Sequence, residues 1–164
     1  MKEANITTAT ENVIVHVVNC QGVMGSGVAA ALKDRFPGLF HAYRTHWENH
    51  RREESLGTCC LYTNIDPDGR ITIIANLFAQ RRYGYDGGKY ISYDALDRAL
   101  SDMVSQLHNF THLPKATFAI PYNMGACRAG GNWNVVKALV EAHVDPEQIE
   151  IYKYEEKPNY GNKK

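Results

Sequence analysis

A short apolar segment near the N-terminus restricts the possible folds more than any other part of the sequence. Val13–Val18 is six residues long and is interrupted only by His16. A run of this length that is apolar on both faces is typical of a strand buried between two layers. It is too short to span a bilayer or to form the core of a signal peptide. The segment predicts a layered α/β protein, and we expect it in the cytoplasm without a membrane partner.

Short β-branched runs alternate with longer amphipathic runs over the rest of the chain. Further strands are predicted at 58–63, 70–77, 116–120 and 149–154. Helices are predicted at 25–36, 39–49, 92–107 and from 132 onward, with Ser92 and Asn132 as N-caps. The turn residues Asp66-Pro67-Asp68-Gly69 predict that the strands on either side of them form an antiparallel hairpin. This order of elements predicts a three-layer α/β/α fold with a mixed central sheet.

Length and charge restrict the class of protein. The 164 residues fit one domain, which we expect over 1–154, and the polar end of the chain predicts a flexible tail over 155–164. Lysine plus arginine equal aspartate plus glutamate at 18 each, so the net charge is zero. A neutral protein is not expected to bind nucleic acid. Arg81-Arg82 beside Tyr83 is a basic and aromatic cluster of the kind that binds single-stranded nucleic acid, but one such cluster does not change this expectation.

Two glycine-rich segments each connect a predicted strand to a predicted helix. The first is Asn19-Cys20-Gln21-Gly22-Val23-Met24-Gly25-Ser26-Gly27, and the second runs over 121–131. Glycines allow backbone N–H groups to approach a ligand, and a helix N-terminus favours an anion. The first segment matches neither the dinucleotide fingerprint nor the Walker loop. A single glycine-rich loop is explained equally well by tight packing of the strand against the helix. Two such loops at the carboxyl edge of one sheet favour a diphosphate ligand that is held from both sides.

These two segments resemble the macro domain, an ADP-ribose-binding module. The resemblance is carried by V-x-x-V-N-C-Q-G-V-M-G-S-G-V-A and by I-P-Y-N-M-G-A-C-R-A-G-G-N-W, and it extends over about residues 4–154. Within this family, the sequence resembles the branch that contains ADP-ribose 1″-phosphate phosphatases and terminal ADP-ribose glycohydrolases, including small proteins of phages and bacteria. The resemblance implies an ADP-ribose derivative as ligand, with an ADP-ribosylated macromolecule as a further partner.

The resemblance also implies the ligand-binding residues. Asn19 would hydrogen-bond the distal ribose and serve catalysis. The first loop would wrap the diphosphate and that ribose with Gln21, Gly22, Val23, Met24, Gly25, Ser26, Gly27 and Val28. The second loop would close over the phosphates with Gly125, Ala126, Cys127, Arg128, Ala129 and Gly130. The adenine would lie beside Asn5 and Ile6 and pack on Tyr152, although Asn5 stands where the family usually has an acidic residue.

The activity implied is hydrolysis of ADP-ribose 1″-phosphate. The glycohydrolase branch uses a lysine and an aspartate where this chain has Gln80 and Ala129. Glutamine forms no covalent adduct with ribose and alanine is neither acid nor base, so glycohydrolysis would need another group, such as Lys89. Phosphate-ester hydrolysis depends more on positioning. Asp86 is the predicted water-activating base, and Arg82 or Lys89 the predicted contact to the terminal phosphate. A module that binds ADP-ribose without catalysis is the alternative.

The remaining reactive residue types do not indicate another chemistry. His16 lies in an apolar strand and is expected to be a hydrogen-bonded core residue. His41, His46 and His50 approximate helical spacing without a matching carboxylate or cysteine, so no metal is predicted. Cys20 lacks the arginine of a cysteine phosphatase, because the residue six positions later is Ser26. No cofactor is predicted either.

Overall fold

A computed structural model describes residues 1–84, 88–110, 115–126 and 129–154. Its centre is one six-stranded sheet with the order β1-β6-β5-β2-β4-β3. The strands are β1 (Lys2–Glu3), β2 (Val13–Asn19), β3 (Cys59–Ile65), β4 (Ile71–Gln80), β5 (Phe118–Pro121) and β6 (Ile149–Lys153). All neighbouring strands are parallel except β3 and β4, which form the predicted antiparallel hairpin. The predicted mixed sheet is therefore confirmed.

Helices cover both faces of this sheet. The helices are α1 (Gly27–Arg35), α2 (Leu39–Asn49), α3 (Tyr93–Leu107) and α4 (Trp133–His143). One buried cluster joins α3 and α4 to one face through residues such as Val15, Leu100 and Val136. The other joins α1 and α2 to the opposite face through residues such as Ile14 and Leu32. Because β2 contributes alternate side chains to both clusters, it is covered on both faces, and the three-layer α/β/α prediction is confirmed.

The starts of α3 and α4 follow local sequence signals. The Ser92 hydroxyl accepts a hydrogen bond from the Ala95 amide, and the Asn132 side chain accepts one from the Asn134 amide. Both predicted N-caps are confirmed, because these short polar side chains satisfy amides that have no partner inside the helix. Helix α1 begins at Gly27, two residues later than predicted, since Gly25 and Ser26 belong to the loop.

The sequence patterns missed strand β1. Its two residues pair in parallel with β6, Lys2 with Tyr152 and Glu3 with Lys153. A two-residue polar strand has no periodicity to detect, and only the neighbouring strand defines it. The tail predicted over 155–164 lies outside the described residues. No helix in the described ranges has the length and apolar character needed to cross a membrane.

Candidate functional site

The two glycine loops meet at one cavity of about 770 Å³. It lies across the carboxyl ends of β6, β5, β2 and β4, where ligands of open α/β sheets bind. The first loop contributes Asn19, Val23, Met24, Gly25, Ser26, Gly27 and Val28, and the second contributes Asn123, Met124, Gly125 and Ala129. The predicted juxtaposition of the two loops is therefore confirmed. A cavity of this volume is in the range that holds a small organic ligand.

The first loop presents backbone N–H groups that are not used within the protein. The amides of Met24, Gly25, Gly27 and Val28 have no hydrogen-bond acceptor among the described residues. Two of these amides belong to the first turn of α1, whose dipole places partial positive charge at the same point. Unpartnered amides at a helix N-terminus form a site for an anion.

Asn19 ends β2 and is held by its own loop and by α2. Its side-chain oxygen accepts hydrogen bonds from the Gln21 amide at 3.0 Å and the Tyr43 hydroxyl at 2.9 Å. Its Nδ2 donates to the Val23 carbonyl at 2.9 Å. Because an amide nitrogen has two hydrogens, one donor remains. Asn19 is 8% exposed at the cavity wall, so that donor is oriented before any ligand binds.

The second loop also supplies free amides, from a backbone in the left-handed conformation. Asn123 and Gly125 have φ of 61° and 71°, and their amides have no acceptor among the described residues. The Ala129 carbonyl accepts from the amides of Tyr90 at 2.7 Å and Ile91 at 3.0 Å. These bonds attach the second loop to the segment that precedes α3. Ala126 and Gly130 do not line the cavity, and the predicted Cys127 and Arg128 lie outside the described residues.

Charge in the cavity wall favours an anionic ligand. Among the described residues that line it, Lys153 is the one formally charged side chain, and none is aspartate or glutamate. Its Nζ lies 5.2 Å from the ring centroid of Tyr122, which contacts Trp133 edge to face at 5.5 Å. No group of three or more metal-ligating side chains occurs in the described part of the chain.

The aromatic residue at the β6 end of the cavity is Tyr154 rather than Tyr152. Tyr152 is 4% exposed, packs in the cluster beneath α1 and α2, and donates its hydroxyl to Glu11. Tyr154, two residues later, is 58% exposed and lines the cavity. Sequence reasoning missed Tyr154 and Lys153, although their position just at the end of the last predicted strand was a usable signal.

Four other residues predicted to contact the ligand do not line the cavity. The Asn5 side chain accepts from the Thr7 amide and caps the short turn Ile6–Thr8, and Ile6 is buried in the core. The Gln21 side-chain oxygen accepts from the Tyr83 amide at 2.9 Å. Gly22 faces α2, where a Cβ atom would lie 2.8 Å from Trp47. Ligand contact by these residues therefore stays a prediction.

The two positions that the resemblance assigns to catalysis in glycohydrolases are both in the cavity wall. Gln80 ends β4 and Ala129 lies in the second loop, and both line the cavity. Asp86, the predicted base, lies outside the described residues. Arg82 and Lys89 are directed to the rings of Tyr90 and Tyr93, at 5.9 Å and 4.1 Å, and do not line the cavity.

His16 is a buried core residue, as predicted, but it also reaches the cavity wall. It is 1% exposed, and its Nε2 lies 2.6 Å from the Asn76 side-chain oxygen. Its Nδ1 has no hydrogen-bond partner among the described residues. Burial lowers the pKa of His16 to about 4, so the imidazole is neutral near pH 7.

Comparison with known proteins identifies a family. A model of the macro domain family matches residues 15–108, more than half of the chain. A protein of Neosartorya fischeri named ADP-ribose 1″-phosphate phosphatase is 47% identical over 36 residues, 22% of this chain and 18% of that protein. One of Mycobacterium tuberculosis named DNA ADP-ribosyl glycohydrolase is 30% identical over 139 residues, 84% of this chain and 36% of that protein. The chain thus spans well under two thirds of either relative.

A solved structure has the same architecture. The macrodomain of Mycobacterium tuberculosis DarG matches with a TM-score of 0.72 and 21% identity, covering 95% of this chain and 96% of that chain. At this identity the similarity establishes a common fold.

Proposed function

This chain belongs to the macro domain family, and we propose that it binds ADP-ribose or a close derivative and hydrolyses ADP-ribose 1″-phosphate to ADP-ribose and phosphate. The observation that carries the proposal is that two loops present unpartnered amides to one cavity. The described wall of that cavity contains no carboxylate. A diphosphate satisfies such amides with charge-assisted hydrogen bonds from both sides. The Neosartorya fischeri relative supports this substrate through its name.

In the proposed reaction the protein mainly positions and stabilises charge. A water oxygen bonds to phosphorus as the water gives one proton to a base, and the bond between phosphorus and O1″ breaks. The same base then returns the proton to O1″, which becomes the 1″-hydroxyl. Asn19 would hold the distal ribose through its remaining Nδ2–H, while the amides of Met24, Gly25, Gly27 and Val28 would bind the phosphates. Asp86 is proposed to accept a proton of the water. Arg82 or Lys89 would contact the terminal phosphate only after leaving the rings of Tyr90 and Tyr93, because neither lines the cavity.

Removal of ADP-ribose from a macromolecule is the second candidate. The Mycobacterium tuberculosis relative, whose name is DNA ADP-ribosyl glycohydrolase, supports it. Against it stand Gln80 and Ala129, because neither side chain can act as nucleophile, acid or base at the cavity. A protein that only binds ADP-ribose, free or attached to a macromolecule, is the non-catalytic form of the same proposal.

Two assays separate these activities. Titration calorimetry with ADP-ribose is expected to give saturable heat, and incubation with ADP-ribose 1″-phosphate is expected to release inorganic phosphate. Heat without phosphate release would leave a binding module. Release of ADP-ribose from ADP-ribosylated DNA would favour the glycohydrolase, and the absence of heat with ADP-ribose would overturn the proposal as a whole.

A further inference from the structure

The hydroxyl group of Tyr43 bridges the two ends of the first glycine loop. It lies 2.7 Å from the Asn19 carbonyl oxygen and 2.9 Å from the Asn19 side-chain oxygen. On its other side the Val23 amide donates to it at 3.2 Å. One buried atom of α2 thus connects the residue that begins the loop to the residue at which the loop turns toward the cavity.

The chemistry of a phenol suits this bridge. A tyrosine hydroxyl donates one hydrogen bond and can accept others, so it donates to Asn19 while it accepts from Val23. Tyr43 is fully buried and its ring stacks on Phe78 at a centroid distance of 5.3 Å. Burial raises the pKa of Tyr43, which therefore remains a proton donor well above neutral pH.

Two neighbours on α2 hold the same side of the loop. The Trp47 indole N–H donates to the Cys20 carbonyl at 2.8 Å, and the Arg44 guanidinium donates to the Gly22 carbonyl at 3.2 Å. The guanidinium also lies 4.9 Å from the Trp47 ring centroid. These bonds occupy the polar groups on the outer side of the loop, whereas the amides of Met24, Gly25, Gly27 and Val28 have no acceptor among the described residues. The loop is thereby divided into an anchored side and a side available to a ligand.

We propose that Tyr43 is a positioning residue that orients the Asn19 amide and the first-loop backbone for the ligand. The inference rests on the proposed function, because it takes ADP-ribose as the ligand. Its physical basis is preorganisation: a loop already held in the bound geometry loses less conformational freedom on binding. If Tyr43 had no positioning role, its substitution would change only the stability of the fold and not the affinity for the ligand.

Tyr43→Phe removes the hydroxyl and keeps the stacked ring. In this variant we expect faster hydrogen exchange at the Val23 amide and about a tenfold weaker affinity for ADP-ribose, the effect of one lost hydrogen bond. Tyr62→Phe is the matched control, since Tyr62 packs on the same side of the sheet and lies outside the cavity wall. It is expected to match the wild-type protein in both measurements.

A double variant separates positioning from simple destabilisation. If Tyr43 acts through Asn19, Tyr43→Phe will weaken binding much less in an Asn19→Ala background than in the wild type. Equal effects in the two backgrounds would overturn the proposal, and so would unchanged affinity in the single variant. If the wild-type protein does not bind ADP-ribose, the proposed function fails. Hydrogen exchange at the Val23 amide in the ligand-free protein still tests the anchoring by Tyr43. Faster exchange in Tyr43→Phe than in the wild type supports the anchoring, and unchanged exchange refutes it.

Discussion

The His16 imidazole and the Asn76 amide form a hydrogen bond of 2.6 Å across the central strands β2 and β4. Asn76 donates its own Nδ2 to the Cys60 carbonyl at 3.0 Å, so its oxygen faces His16. His16 Nε2 therefore carries the hydrogen, and Nδ1 is left as an unprotonated nitrogen. This pair keeps a neutral histidine in an apolar layer, which makes the stability of the fold dependent on pH.

Acidification is expected to destabilise the protein through His16. Its pKa is about 4 when folded and about 6.5 when unfolded, so the unfolded state takes up the proton first. The stabilisation is complete above about pH 6.5 and is lost as the pH falls toward 4. From pH 7 to pH 5 the free energy of unfolding should fall by about 2 kcal/mol from this residue. His46, whose pKa is also lowered to about 4, chiefly by burial, acts in the same direction.

Urea denaturation at both pH values measures this effect. His16→Gln cannot titrate, and its amide nitrogen stands where His16 Nε2 does, so it keeps a donor for the Asn76 side-chain oxygen. Its loss of stability between pH 7 and pH 5 should be smaller than that of the wild type by about 2 kcal/mol. Equal pH dependence in the two proteins would disprove the assignment.

Gly25→Glu should abolish ligand binding and preserve the fold. A Cβ atom at Gly25 would lie 3.5 Å from Val23 Cγ1, an ordinary contact, and the backbone needs no glycine there. The added carboxylate would repel the diphosphate and weaken the affinity for ADP-ribose by about 100-fold or more. Calorimetry measures this, with Gly25→Ala as the control that keeps near wild-type affinity. Strong binding by the glutamate variant would exclude a phosphate from this loop.

Gly130→Ala should destabilise the protein more than Gly27→Ala. Both glycines have positive φ, 72° and 61°, so either alanine adds about 1 kcal/mol of backbone strain. At Gly130 the new Cβ would also lie 2.4 Å from the Gly88 carbonyl oxygen, whereas at Gly27 it would meet nothing within 4 Å. We expect a total loss of about 3 kcal/mol at Gly130, measured by urea denaturation. Equal losses would show that the second loop is not held against Gly88.

Asn19→Ala should reduce both binding and turnover. The substitution removes the donor proposed to meet the ribose and the three side-chain bonds that shape the loop. We expect kcat/KM for ADP-ribose 1″-phosphate to fall by about 100-fold, of which about tenfold appears in the affinity for ADP-ribose. Asn109→Ala, an exposed site after α3, is the control. Unchanged turnover would refute the role of Asn19.

Asp86→Ala should separate catalysis from binding. If Asp86 activates water, its loss lowers kcat for phosphate release by about 100-fold or more and leaves ADP-ribose affinity close to that of the wild type. Asp68→Ala, in the β3–β4 turn, should change neither quantity. Full activity of the Asp86 variant would transfer the role of base to another group and leave the binding site intact.

Local patterns in the sequence were enough to predict the fold, because strand burial and helix capping depend on residues close together in the chain. Val13–Val18 predicted the central strand, Ser92 and Asn132 predicted two helix starts, and two glycine segments predicted a cavity at the carboxyl edge. The site needed contacts between distant residues: Tyr43 meets Asn19 across 24 positions, and β1 pairs with β6 from the opposite end of the chain. The sequence predicted a helix over 39–49, but not that the hydroxyl of Tyr43 reaches Asn19. That Tyr154 rather than Tyr152 lines the cavity was likewise decided by how β6 packs in the sheet, since neighbouring strands and helices determine which side chains a strand buries.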